Sequence, residues 1–504
     1  MQYLNGLKSS ITTSFCRLLT LVSDRSHCDE GILKSQSSIV AAFLLPLIAA
    51  GALAQLPKAP PSPEPDDRYK ADILLIIAHP DDDTLISGYL AKAIFDEHKR
   101  AAAIVCTTGD GGGNLIGLES GAALRQVRIL ESRQALEFLG MTNVWYLGSH
   151  DTPGQDVLWS LENWGHGRVL GEVVRLVRLT RPEVIISMLP DYVAGENHDD
   201  HQAAGVVATE AFDMAGDPSA FPEQVAAARD RLGMMNLTDG LQPWQPKKIY
   251  YFTDAFDNPS QYSHDKRAQS PYRKNFLEGN GPEYSNSLVS PSRHVSYGRL
   301  AAEEQSFYLT QDGNRGKEAL AKGDVSEFEL RVHFIFGKSL VEGSVTGDIF
   351  EGIKPGPIPF ARIPGFQPQT REGLSVDFGG AWAFYPGFWK AHDLQQIPRL
   401  LLIPEVAVPR GGTLRVPLLI RNDTENPKEV GLTTVLPKGW TEKTGSALYP
   451  VRAHEVYSAQ AILIAPDVEG IQWQEITWNA EANGHLVTAI KLRVLSGASG
   501  GLPQ

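Results

Sequence analysis

The stretch Ala71-Asp72-Ile73-Leu74-Leu75-Ile76-Ile77-Ala78-His79-Pro80-Asp81-Asp82-Asp83 decides the fold. Ile73 to Ala78 is apolar with no polar alternation, the pattern of a strand covered on both faces. It stops abruptly at His79, Pro80 and three successive carboxylates. These fall just past the C-terminal end of the strand, where open α/β sheets bind ligands. Adjacent acids at a core boundary repel one another unless a cation neutralises them. The alternative is the acidic first turn of a helix, which the helix dipole favours. Alone, the stretch leaves both readings open.

Outward from it, strands and helices alternate. Thr84 to His98 reads as a helix with Leu85, Leu90, Ile94 and Phe95 on its apolar side. Ala101 to Thr107 reads as a second buried strand running into the glycine-rich loop Thr108 to Asn114. Ala122 to Leu139 is a helix stopped by Gly140, a residue favoured just past helix ends. Val144 to Leu147 is a short strand, Arg168 to Thr180 a helix closed by Pro182, Glu183 to Leu189 a buried strand, and Ala203 to Phe212 a helix. Such repeats predict an α/β domain over 71–255, a doubly wound, mostly parallel, Rossmann-like sheet with helices on both faces. Residues 256–395 read as a polar, turn-rich extension, with a helix at Leu300 to Tyr308, a strand at Phe328 to Phe336 and an aromatic segment at Phe378 to Trp389 whose simplest role is packing. Residues 396–497 read as all-β, with strands at Thr413 to Arg421, Val430 to Val435, Val456 to Ala465 and His485 to Val494. Their spacing fits a sandwich of about 100 residues.

The chain has 504 residues, enough for roughly two to four domains, and its 42% hydrophobic content can fill real cores. A net charge of -13 argues against nucleic acid or an anionic membrane surface as the main partner. Three cysteines (Cys16, Cys28, Cys106) make no framework, and no disulfide is expected. Ile39 to Ala54 is apolar, follows Lys34 and ends Ala52-Leu53-Ala54, as a secretory signal does before cleavage. At about 16 residues it is short for a membrane span. Residues 1–54 are therefore read as a signal region cleaved after Ala54, leaving a secreted or periplasmic mature chain with no membrane span; an uncleaved anchor is the alternative. Residues 55–70 are a proline-rich linker of extended, polyproline character.

A second cluster, Asn197-His198-Asp199-Asp200-His201, follows the strand ending near Leu189. Two histidines three apart with acids between them stand out in a chain holding 13 histidines. Both clusters follow parallel strands, so both point to the same rim of the sheet. Together, Ala78-His79-Pro80-Asp81-Asp82-Asp83 and His198-Asp199-Asp200-His201 resemble the two signatures of the PIG-L/LmbE family of zinc-dependent de-N-acetylases. The resemblance extends to Thr108-Gly109-Asp110-Gly111-Gly112, to the helix carrying Arg128 and Glu131, and to Leu147-Gly148 with Asp151. Asp83 stands where the family has Glu, and Asp199 where it has Pro. Leu436-Pro437-Lys438-Gly439-Trp440 resembles a motif of NEW3-type sandwich domains.

The resemblance implies Zn2+ held by His79, Asp82 and His201, with positions left open for water and a carbonyl oxygen. Two imidazoles and a carboxylate suit a catalytic zinc on chemical grounds as well. It implies Asp81 as general base, and His198 facing the oxyanion with Asp200 holding its ring and keeping it cationic. Arg128 and Asp110 are candidate substrate contacts; packing and surface roles are their alternatives. Tyr192 lies near the second cluster without matching the tyrosine some members place there. Other chemistries fail on their signatures. There is no HExxH, no third glycine or Walker lysine in the 109–114 loop, and no Gly-x-Ser-x-Gly. Cys106 reads as a small core residue. The expected function is a secreted zinc hydrolase that removes acetyl from an N-acetylglucosamine-type amino sugar or extracellular glycan. An amidase on another acylated amine, or a non-catalytic glycan-binding envelope protein, are the alternatives.

Overall fold

The computed structural model describes residues 56–62, 64–191, 198–226, 241–253, 280–358, 373–380, 382 and 404–498. Residues 1–55, which include the run read as a signal, the loop 192–197 with Tyr192, and most of the aromatic segment 378–389 lie outside the described residues. Pro57–Gln504 is one compact unit.

The strands of the first half are β1 (Ile73–Ile77), β2 (Ala101–Thr107), β3 (Val144–Ser149), β4 (Val184–Met188) and β5 (Lys248–Phe252). After them come β6 (Glu283–Ser285), β7 (Arg331–His333) and β8 (Ile335–Ser339). The main sheet runs β3-β2-β1-β4-β5-β8. Its first five strands pair in parallel, and β8 joins the edge antiparallel to β5. All five residues of β1 are buried, which is why the stretch shows no alternation. Strand order reverses between β2-β1 and β1-β4, making the end of β1 the switch point where such sheets leave a crevice.

Helices cover both faces: α1 (Ser87–Ala91), α2 (Gly121–Phe138), α3 (Val157–Trp164), α4 (His166–Thr180), α5 (Asp199–Met214), α6 (Tyr297–Gln305) and α7 (Gly313–Lys322). Leu74, Ile76, Ala102 and Ile104 pack with Val173, Val177 and Val207 of α4 and α5. Ile73, Leu75, Ile77 and Val105 pack on the other face with Leu90, Leu136 and Leu300 of α1, α2 and α6. Fully burying each such side chain contributes about 1.5–3 kcal/mol.

The structure departs from the sequence expectation in instructive places. The continuous helix expected over 84–98 is a 3-10 turn (Asp82–Leu85), then α1, then a π turn (Lys92–Asp96). Asp82 is bonded back to the strand end, and Ser87 Oγ donates to the Thr84 carbonyl at 3.1 Å, so the first turn cannot follow the α-helical ladder. The extension is not a separate piece beyond 255. Its β8 completes the main sheet, β6 pairs with β7, and α6 packs against α1.

The C-terminal region is a sandwich of two sheets, drawn from β9 (Leu374–Phe378), β10 (Glu405–Pro409), β11 (Thr413–Asn422), β12 (Lys428–Val435), β13 (Thr441–Glu442), β14 (Ala447–Val451), β15 (Val456–Ile464), β16 (Gln472–Ala482) and β17 (His485–Ala498). Their orders are β10-β17-β16-β12-β14 and β13-β15-β11-β9. Trp478 and Trp440 are buried in its core. The β9 strand pairs with β11 from upstream of residue 396, so the sandwich starts earlier than its composition indicates. The proline-rich stretch is extended but is no free spacer. Ala59 N and Leu448 N bond across to Leu448 O and Pro57 O at 2.8 and 3.0 Å, and Tyr457 OH donates to Pro60 O at 2.6 Å. Farther on, Arg181 and Arg100 reach the carbonyls of Asp66 and Asp67 at 3.0 and 2.6 Å. A strand of backbone thus ties the sandwich to the base of the α/β domain.

Candidate active site

At the end of β1 the chain turns, and Asp82 folds back on it. Asp82 Oδ2 accepts from the amides of Ala78 and His79 at 3.0 and 2.8 Å. This fixes the carboxylate and turns Oδ1 toward two imidazoles, 3.1 Å from His201 Nε2 and 3.6 Å from His79 Nδ1. His201 arrives from the first turn of α5. That helix crosses β4 so closely that a Cβ on Gly205, one turn farther along, would lie 2.4 Å from the Met188 carbonyl oxygen. The glycine sets how near His201 comes to the strand ends.

Two ligand atoms about 2.1 Å from one tetrahedral cation are about 3.4 Å apart, and the separations of Oδ1 from the two imidazoles bracket that value. His79, His198 and His201 also offer ring nitrogens within 4.8 Å of one another. The three imidazoles, with Asp82 beside two of them, are donors of the kind that can hold a divalent metal ion. On the far side of the His79 ring, Nε2 is 3.5 Å from Asp200 Oδ2, which also accepts from the Thr152 amide at 2.8 Å. A carboxylate behind a ligating histidine fixes its orientation and raises its basicity. His79, Asp151 and Asp200 form a second group of donor atoms within 4.8 Å. Asp151, however, is already engaged by the amides of Gly109 and Gly111 at 3.1 and 2.9 Å.

The expected pairing of Asp200 with His198 is not what the structure has. The carboxylate beside His198 is Asp199, with Oδ1 3.4 Å from Nδ1, while Asp200 serves His79. Nor is His198 cationic. Burial, then the neighbouring His201 and His79, push it down to about 3, so it is a neutral imidazole stacked 4.0 Å from the His201 ring.

The three acids divide cleanly. Asp82 lies well below the usual carboxylate range because His201 and His79 outweigh the burial that would raise it. Burial pushes Asp81 up to about 7, with the Asp82 charge adding and His79 opposing, and its side chain lines the cavity. A carboxyl near neutrality can take and return a proton; a divalent cation beside it would draw it down. Asp83 points away toward α6 and the turn after it, where Tyr308 OH donates to Oδ1 at 2.7 Å. The fully buried Glu304 meets it from α6 itself. Burial, then the Asp83 charge, raise Glu304 well above its ordinary value, leaving it protonated and able to donate to Asp83. The third acid is thus engaged by residues of the extension.

Arg128 lines the cavity, but its guanidinium is largely committed to the loop, donating to Gly109 O and Gly113 O at 2.8 Å each. The loop glycines have a plain reason: a Cβ on Gly109 or Gly112 would lie 2.6 or 2.5 Å from Arg128 side-chain atoms. Asp110 is not among the cavity-lining residues. Its carboxylate takes His150 Nδ1 at 2.6 Å, Arg125 at 3.2 Å and the Asp151 amide at 3.1 Å, so it organises the loop instead of meeting substrate.

The cavity over Asp81, His79 and His201 measures about 770 Å³. Part of its wall is Thr310, Gln311 and Asp312, from the extension. Thr310 bonds Glu131 through its amide and hydroxyl at 3.0 and 2.6 Å, and Gln311 Nε2 donates to Pro80 O at 3.0 Å. Nothing in the sequence marks these residues. They lack a motif, and their partners lie 179 and 231 positions away.

Residues 74–212 match the family model described as PIG-L: GlcNAc-PI de-N-acetylase, so this part of the chain is a PIG-L-family domain. Within that class, a 1D-myo-inositol 2-acetamido-2-deoxy-alpha-D-glucopyranoside deacetylase of Streptomyces scabiei is 28% identical over 220 residues, covering 40% of this chain and 61% of that protein. A mycothiol S-conjugate amidase of Streptomyces coelicolor is 28% identical over 219 residues, 40% of this chain and 68% of that protein. Among solved structures, N,N'-diacetylchitobiose deacetylase of Pyrococcus horikoshii aligns with a TM-score of 0.36 at 16% identity, over 54% of this chain and 85% of that one. No described helix is long and apolar enough to cross a membrane.

Proposed function

We propose that the chain is an exported, zinc-dependent N-deacetylase that hydrolyses the acetamido group of an N-acetylglucosamine-type saccharide to acetate and a free amine. The observation that carries this is Asp82 Oδ1, held by two backbone amides between His201 Nε2 and His79 Nδ1, with Asp81 on the adjoining cavity wall. His79, Asp82 and His201 would hold the metal. When bound, it polarises the amide carbonyl and makes water a nucleophile near neutral pH. Asp81 takes the proton from the attacking water. His198, neutral and next to His201, donates an N–H to the oxygen that gains charge as the carbonyl is attacked. The proton on Asp81 then goes to the leaving amine, the same carboxyl acting first as base and then as acid. Asp200 keeps the His79 ring in register.

The PIG-L match and the deacetylase relatives support an acetamido sugar as substrate. The amidase relative supports a second reading, hydrolysis of another acylated amine at the same centre. Export rests on the apolar run Ile39 to Ala54 and its Ala52-Leu53-Ala54 end. The test is a panel of N-acetylated amino sugars and acyl-amines, scored by acetate or acid release with metal content measured in parallel. Release from an N-acetylglucosamine saccharide, lost on chelation and restored by zinc, supports the proposal. Activity confined to other acyl-amines supports the second reading.

A further inference from the structure

The turn after α6 is fastened to the catalytic domain at four places. Tyr308 OH bonds Asp83 at 2.7 Å, Thr310 bonds Glu131, Thr310 O accepts from the Leu115 amide at 3.0 Å, and Gln311 Nε2 donates to Pro80 O at 3.0 Å. Gln311 also donates its own amide to Tyr308 O at 3.0 Å. The residue is only 8% exposed, yet it is one of those lining the cavity.

The orientation of that side chain is decided by its partner. A carbonyl oxygen only accepts, so the amide nitrogen must face Pro80 and the amide oxygen must face elsewhere. Gln311 lines the cavity, and among the described residues its side chain is engaged only through Nε2, which leaves Oε1 as the acceptor it can offer to a ligand there. The result is a rigid acceptor, anchored to the residue between His79 and Asp81. An acceptor held this way loses little freedom on binding, and leaving it unmet is costly.

We infer that Gln311 is a specificity-determining residue whose Oε1 accepts a hydrogen bond from a hydroxyl of the sugar that carries the acetamido group. This rests on the reading of the site as an amino-sugar deacetylase. The extension, which has no motif of its own, would then supply recognition while the PIG-L domain supplies the chemistry. A site built to bond a hydroxyl discriminates against the analogue that lacks it, because the protein acceptor is left dry.

The test compares N-acetylglucosamine with its singly deoxygenated analogues, using wild type, Gln311→Met and Gln311→Ala, with metal content and melting temperature recorded. The expectation is that wild type loses about tenfold or more in kcat/KM on one analogue. Both variants should treat that analogue and the parent alike, with raised KM for the parent and unchanged metal content. If Gln311 only braced Pro80, kcat would fall equally on all substrates and metal binding would weaken, which overturns the inference. Equal discrimination in wild type and variants overturns it too, while leaving the deacetylase reading standing. No turnover of any acetamido sugar by wild type defeats both.

Discussion

Gly205→Ala tests how the fold sets the metal centre, from a position that touches neither metal nor substrate. The added Cβ would lie 2.4 Å from Met188 O and 2.7 Å from Pro190 N. Both are backbone atoms, and β4 is fixed between β1 and β5, so no flexible side chain can move aside. Ordinary contact begins near 3.4 Å, so α5 must retreat by about 1 Å, with an overpacking cost of about 1–3 kcal/mol. His201 lies one turn upstream on the same helix and moves with it, away from Asp82 Oδ1. Displacement of that size costs about 100-fold in rate, and disturbing the support of a ligand weakens metal binding about 10- to 100-fold. Chelator competition measures the zinc dissociation constant, and denaturant unfolding measures the stability. Gly167→Ala in α4 is the control: its Cβ meets nothing within 4 Å, and it should stabilise by about 0.5–1 kcal/mol with metal affinity unchanged. Wild-type zinc affinity in Gly205→Ala would refute the argument that this helix crossing positions the ligand.

Other outcomes are as definite. Asp81→Asn should lower kcat by about 100- to 10,000-fold while retaining zinc, checked by metal analysis alongside turnover. Glu304→Leu leaves Asp83 buried without its proton-bearing partner and should cost about 1–3 kcal/mol, whereas Glu304→Gln, which can still donate, should keep most of the stability; chemical denaturation separates them. Asp96 accepts from Ser290, Ser292 and Tyr297, and although partial burial opposes them, these bonds bring its carboxyl to about 2. Because the folded value is the lower one, Asp96 stabilises fully above the ordinary carboxylate range and its contribution fades as pH falls toward about 2. The stability gap between wild type and Asp96→Asn, followed by denaturant midpoints across that window, should close on acidification.

The α/β domain was legible because parallel strands buried on both faces leave continuous apolar runs. Ile73 to Ala78 and Glu183 to Leu189 could be read directly, and their abrupt polar ends located the crevice. The clusters His79-Asp83 and His198-His201 were legible for the same reason, each being local in sequence. Pairings across space were not. Asp199 and Asp200 differ by one position, and only the helical turn of α5 decides that Asp200 reaches His79. Likewise α6 and Gln311 come from a stretch whose polar composition hides its attachment to the catalytic loop, since its contacts are hydrogen bonds to residues some 200 positions away. Sandwich strands such as β16 alternate buried residues with exposed or half-buried polar ones, Glu475 and Asn479 among them, and short apolar counts conceal them.

The measurement that bears most directly on the account is acetate release from N-acetylglucosamine saccharides as zinc is added back to the chelated protein. Release should rise linearly and level off at one zinc per chain, and His201→Ala should neither bind at that stoichiometry nor turn over. Full activity without bound metal, or unaltered turnover in His201→Ala, would contradict it.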